Sequence, residues 1–137
     1  MGKQICVDTG LVSLLYSKDC PREVDLLFKR VKQNKVEAHI VSPILSEVFY
    51  HICKKMGKQA AAVRVASFLN RHPIKVIPLN QSLILKAGEL KCKHAQQLSY
   101  NDCFAISYAL NKKLTFHTTE KELNKILPTL KLKTYMF

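Results

Sequence analysis

Val36-Glu37-Ala38-His39-Ile40-Val41 runs without a break into Ser42-Pro43-Ile44-Leu45-Ser46-Glu47-Val48. The first six residues read as a short strand. The second stretch changes period: Ile44, Val48 and Ile52 recur at helical spacing. Ser42 reads as the N-cap of that helix and Pro43 as its first residue. Gly57 is a natural stop. A strand that feeds directly into a helix is the unit from which parallel sheets are built.

The same unit recurs on both sides. Residues 4–8 are apolar until Asp8 and read as a strand, followed by a short helix carrying Leu11, Leu14 and Leu15. Residues 22–34 place Val24, Leu27, Phe28 and Val31 at helical spacing. Downstream, helices are expected at 60–70, 81–95 and 98–111, the last opened by Ser99, with strands at 74–79 and 114–117. A short helix over 120–127 and a strand over 130–135 complete the series. Alternation of this kind implies right-handed crossovers and a mostly parallel sheet covered by helices on both sides. Ligands in such sheets sit beyond the carboxyl ends of the strands. Asp8 and the segment Thr118 to Glu122 occupy such ends.

The chain has 137 residues, 47% of them hydrophobic, with only 4 Gly and 5 Pro. That suits one globular domain spanning 1–137, with little room for linkers. No apolar run reaches the ~20 residues needed to span a bilayer, and the N-terminus lacks a signal-peptide profile. Five cysteines, an odd number with no C-x-x-C, read as free thiols. These features lead us to expect a cytoplasmic protein with no membrane partner.

Twenty-two basic residues face ten acids, a net charge of +12. A field of that sign favours polyanions, above all nucleic acid. The cations are dispersed along the chain, so the sequence locates no groove. The aromatics Phe49, Tyr50, Tyr100, Phe104 and Tyr108 fit helix packing better than a base-stacking platform. The histidines His39, His51, His72, His94 and His117 are scattered; His51, one turn beyond Glu47, and His117, before the acidic turn, read as surface or strand-end residues, with substrate contact as the alternative.

The few acids stand in apolar surroundings. Asp8 closes Ile5-Cys6-Val7, Glu47 lies on the margin of a helical apolar stripe, and Asp102 projects from an apolar face. Glu120 and Glu122 follow a strand. Each has a local explanation. Asp8 can cap the next helix, Ser99-x-x-Asp102 and Thr119-x-x-Glu122 resemble capping boxes, and Glu120 would sit in a first helical turn. Yet a parallel sheet brings such ends together. Mutually close carboxylates repel and call for a cation between them, and oxygen-rich sites suit Mg²⁺ or Mn²⁺. No P-loop, G-x-G-x-x-G or G-x-S-x-G is present.

Ile5-Cys6-Val7-Asp8-Thr9, Ser42-Pro43-x-x-x-Glu47-Val48, Leu98-Ser99-Tyr100-x-Asp102-x-x-Ala105 and Thr118-x-Glu120-x-Glu122 together resemble, in order and spacing, the PIN domain, and most closely its small VapC-like toxin nucleases. The resemblance implies a three-layer α/β/α sandwich on a five-stranded sheet. It implies an endoribonuclease dependent on Mg²⁺ or Mn²⁺ that leaves a 5′-phosphate and a 3′-hydroxyl. Asp8, Glu47 and Asp102 match the principal acids, Glu120 the acid of the fourth motif and Glu122 its acidic neighbour. Thr9 and Thr118 are expected in support. The fourth motif departs from the usual Thr-Gly-Asp: it reads Thr118-Thr119-Glu120. RNA, an antitoxin protein and a second copy of the chain are the implied partners. Two other biologies share the fold: an RNA-processing nuclease without an antitoxin, and a module that binds RNA or protein without cutting.

Overall fold

The computed structural model describes residues 3–136. Its elements are β1 (Lys3–Val7), α1 (Thr9–Leu15), α2 (Arg22–Lys32), β2 (Val36–Val41), α3 (Ser42–Met56) and α4 (Lys58–Arg71). They continue as β3 (Lys75–Ile77), α5 (Gln81–Lys93), α6 (Tyr100–Lys112), β4 (Thr115–Thr118), α7 (Leu123–Ile126) and β5 (Leu132–Thr134). Five strands form one sheet in the order β3-β2-β1-β4-β5. All four pairings are parallel.

β1 is central, and the chain winds outward from it in both directions. The gap between the carboxyl ends of β1 and β4 is therefore the topological switch point, where such sheets leave a crevice. Register confirms the neighbourhood: Val7 pairs with His117, and the amide of Asp8 donates to the carbonyl of His117 at 3.1 Å.

Helices cover both faces. Cys6 and His39 are register partners, and both turn toward α6: Cys6 contacts the Ala105 carbonyl and His39 the Tyr108 hydroxyl. On the opposite face Ile5 and Val36 turn toward Leu27 of α2. The inner strands β1, β2 and β4 are largely buried on both sides, while the edge strands β3 and β5 are not. Phe28 of α2 and Phe68 of α4 meet edge to face with centroids 5.9 Å apart, each burial contributing roughly 1.5–3 kcal/mol. Among the described residues no helix is long and apolar enough to cross a membrane.

Several local expectations need correction. The N-cap of α3 is Val41, without a side-chain bond, and Ser42 and Pro43 are its first two residues. The strand enters the helix with no loop, so its own last extended residue serves as the cap. Gly57 does stop α3, at a φ of 94° that disfavours any side chain. The helix after β4 is shorter than expected, Leu123–Ile126, and Glu120 lies outside it. Thr119 and Glu122 form no capping box, and Glu122 is the N-cap without a side-chain cap bond. Tyr50 and Tyr100 are more than half exposed rather than packed. His117 lies near the end of β4 and is buried, as are His39 and His72.

Candidate active site

Asp8 follows the last residue of β1 and is the extended N-cap of α1. It is 94% buried, since only 6% of its surface is exposed. Three groups fix it. Oδ1 accepts from the Thr9 amide at 2.8 Å, Oδ2 accepts from the Thr118 hydroxyl at 3.0 Å, and its own amide is held by β4. Burial raises its carboxyl to about 7, against the lowering effect of the Thr9 amide; the nearby Asp102 and Glu47 add to the rise, and the Thr118 hydroxyl opposes it. Burial is the largest of these causes because it strips water from the charge. Asp102 and Glu47 are the two acids whose charge acts on Asp8.

Glu47 reaches the site from α3 through Thr9, whose hydroxyl donates to Glu47 Oε1. Thr9 thus touches two acids, giving its amide to Asp8 and its hydroxyl to Glu47. Asp102 approaches from the first turn of α6. The capping box there is real: Ser99 Oγ accepts from the Asp102 amide at 3.1 Å, and Asp102 Oδ2 accepts from the Ser99 amide at 3.0 Å. Capping and proximity to Asp8 coexist in one side chain.

The fourth segment is joined through Thr118, which is fully buried. Its hydroxyl donates to Asp8 and accepts the Glu120 amide at 3.0 Å, so the turn after β4 is tied to Asp8. Gly10 strengthens the tie: a Cβ there would collide with the Thr119 hydroxyl. The Glu120 carboxylate itself is exposed. Glu122 is exposed as well and pairs with Lys125 at 3.0 Å. The fold therefore links Asp8, Thr9, Glu47 and Thr118 directly, brings the charge of Asp102 near, and leaves Glu120 and Glu122 at the rim.

Oxygen chemistry suits a hard divalent cation. Each carboxylate oxygen has two lone pairs. Asp8 spends one on each oxygen, while Glu47 and Asp102 each spend one on a single oxygen. All three are oriented by a hydrogen bond and keep acceptor capacity. In this arrangement, however, no three His, Cys, Asp or Glu side chains among the described residues form a ready ligand set. Glu47 and Asp102 would have to draw closer to Asp8 for all three to share one ion.

Two buried networks escaped sequence reasoning. His39 links Glu37 (2.7 Å) to Tyr108 (2.6 Å) on the α6 face. His117 bonds Tyr135 at 2.8 Å, and burial, helped by Lys3 and Lys133, holds its imidazole down at about 4, so it is neutral at pH 7. Neither belongs to the carboxylate group. Their tyrosine partners lie 69 and 18 residues away, a distance no local pattern reveals.

The PIN domain family matches residues 5–126. Among solved structures, the fold is similar to that of VapBC2 from Rickettsia felis bound to a promoter DNA fragment, with TM-score 0.73, 22% identity and 97% of this chain and 99% of that chain covered. It is similar to DNA-bound VapBC from Salmonella typhimurium, with TM-score 0.72, 17% identity and 99% and 100% covered. Mycobacterium tuberculosis VapC20, a Sarcin-Ricin loop cleaving toxin, is similar at TM-score 0.66 and 18% identity over 82% of this chain and 86% of that one. No curated protein matches the sequence.

Proposed function

The chain belongs to the PIN domain family, and we propose that it is a divalent-cation-dependent endoribonuclease, the toxin of a toxin–antitoxin pair. The observation that carries the reading is Asp8. It is a buried carboxylate held at the switch point by Thr9 and Thr118, with the charges of Asp102 and Glu47 close enough to raise its pKa. Such crowding costs stability and is relieved by a cation. The toxin assignment draws support from the likeness to VapBC complexes along nearly their whole matched chains.

Asp8, Glu47 and Asp102 would hold Mg²⁺ or Mn²⁺, with Glu120 or Glu122 assisting at the rim. When bound, the cation supplies positive charge that polarises the phosphoryl group and stabilises its transition state. The chain's own part is positional. Thr9 and Thr118 keep Asp8 in one orientation and favour its charged form. Burial excludes water from behind it. The basic surface draws in the RNA backbone, and an acidic antitoxin segment would compete for the same field. For a second copy of the chain, the exposed Tyr50 on α3 and Val63 on α4 offer apolar surface.

The test is Asp102→Asn, with folding checked by circular dichroism. Asn can still accept the Ser99 amide, so the capping box is kept while the charge is lost. Cleavage of single-stranded RNA in Mn²⁺ should fall at least ~100-fold, equivalent to ~3 kcal/mol of transition-state stabilisation. Undiminished cleavage would refute the role.

One observation favours a second reading, a PIN module that binds RNA or protein without cutting: the acids are engaged with hydroxyls and amides rather than grouped as ligands. RNA binding with no Mn²⁺ binding at millimolar concentration would support that reading.

A further inference from the structure

Dispersed in sequence, some of the cations are gathered by the fold. A cleft of about 470 Å³ lies between α1, the second half of α3 and α4. Lys18, His51, Lys54, Lys55 and Arg64 line it, and no acid does. Tyr16, Ile52 and Met56 give the cleft an apolar wall as well. The larger groove, between α2 and the β1–β4–β5 face, differs in holding an acid, Glu23, among its cations.

The walls of the cleft lie one helical turn from the candidate active site. Ser13 lies one turn after Thr9 on α1, and His51 one turn after Glu47 on α3. Residues four apart share a helix face, and Thr9 and Glu47 are hydrogen-bonded to each other. Ser13 and His51 both line the cleft. It therefore opens beside the carboxylates and runs along α3 toward Lys54 and Lys55. Eight residues separate Glu47 from Lys55, ~12 Å of helix.

We infer that this cleft is the track for the RNA strand on one side of the scissile bond, its phosphates held by Lys54, Lys55 and Arg64. The inference rests on the ribonuclease reading and names where its substrate lies. Like charges gathered round one cavity repel, and a polyanion relieves that repulsion while releasing counterions. A stacked strand advances about 3.4 Å per phosphate, so the wall passes three or more phosphates when the strand is stacked. An acidic peptide would meet the same cations. Continuity with the carboxylates favours RNA, because the track delivers its occupant to the reacting group.

The test compares two charge-matched pairs in the full chain: Lys54→Gln with Lys55→Gln in the cleft, and Lys112→Gln with Lys113→Gln at the end of α6 remote from Asp102. Cleavage of a labelled single-stranded RNA is followed in Mn²⁺. Binding of the same RNA is read by fluorescence anisotropy in the Asp102→Asn background, where turnover does not intervene. The cleft pair should raise KM and Kd about tenfold, with a smaller effect on kcat. It should also flatten the salt dependence of log affinity by about 1.4, or 0.7 for each lost phosphate contact. The control pair should move neither. Equal effects from both pairs, or an unmoved Kd in the cleft pair, would overturn the inference. So would intact RNA affinity combined with lost affinity for polyglutamate, which would give the cleft to a protein partner. Failure of the ribonuclease reading looks different: wild-type protein would not cut, whatever the anisotropy shows.

Discussion

Asp8 and Thr118 are 110 residues apart in the chain, and their side-chain oxygens are 3.0 Å apart. The bond spans the two central strands at the point where the winding of the sheet reverses. It holds a carboxylate where no surface acid would sit. Thr118→Val should test it. The substitution keeps the shape and removes both the donor to Asp8 and the acceptor for the Glu120 amide. A hydrogen bond to a charged group contributes roughly 1.5–3 kcal/mol, so Mn²⁺ affinity measured by calorimetry should fall about 10- to 100-fold. Unchanged affinity would mean Thr118 serves packing alone.

Asp8 should weaken the cation-free protein. Its carboxyl is raised from 3.8 to about 7, so between those values the folded state binds the proton and the unfolded state does not. The stabilisation from that proton is complete below pH 4 and is lost as pH rises to about 7. His117, lowered to about 4, works in the opposite sense between pH 4 and 6.5, which is why a difference measurement is needed. Asp8→Asn should gain stability relative to wild type on going from pH 5 to pH 8, by ~2 kcal/mol in denaturant unfolding. An equal difference at the two values would show that Asp8 is not perturbed.

Mn²⁺ should reverse that cost. A ligand at a hundred times its Kd stabilises by about 2.7 kcal/mol, and a proton on Asp8 competes with it. Thermal melts should show a larger rise in Tm at pH 8 than at pH 6, and almost none for Asp8→Asn. A pH-independent rise, or one kept by the variant, would place the ion elsewhere.

Gly10 and Thr119 should be coupled. A Cβ at Gly10 collides with the Thr119 hydroxyl, so Gly10→Ala should destabilise despite the better helix propensity of Ala, which alone is worth up to ~1 kcal/mol. With Thr119→Ala the collision disappears. A double-mutant cycle should return a coupling of about 1 kcal/mol, and additivity would contradict the contact.

These relations explain what the sequence could and could not yield. Strand and helix alternation was legible because the inner strands β1, β2 and β4 are largely buried and α2 and α3 show a clear helical period. Asp8 and Asp102 stood out as acids at a strand end and a helix start, Glu47 as an acid on the margin of a helical stripe, and Thr118 only through the family resemblance. Thr119-x-x-Glu122 misled because a capping pattern is local. Thr119 instead packs on Gly10, and Glu122 pairs with Lys125. The signal for that contact was Gly10 itself, a poor helix former inside the first turn of a helix. The basic cleft was invisible because its cations come from α1, α3 and α4 and meet only in three dimensions.

On the nuclease reading, Asp8, Glu47 and Asp102 share one divalent ion. A crystal soaked in millimolar Mn²⁺ and measured at the manganese edge tests it most directly. The predicted result is an anomalous peak within bonding distance of all three carboxylates. No peak there, or a peak bound to other residues alone, would contradict it.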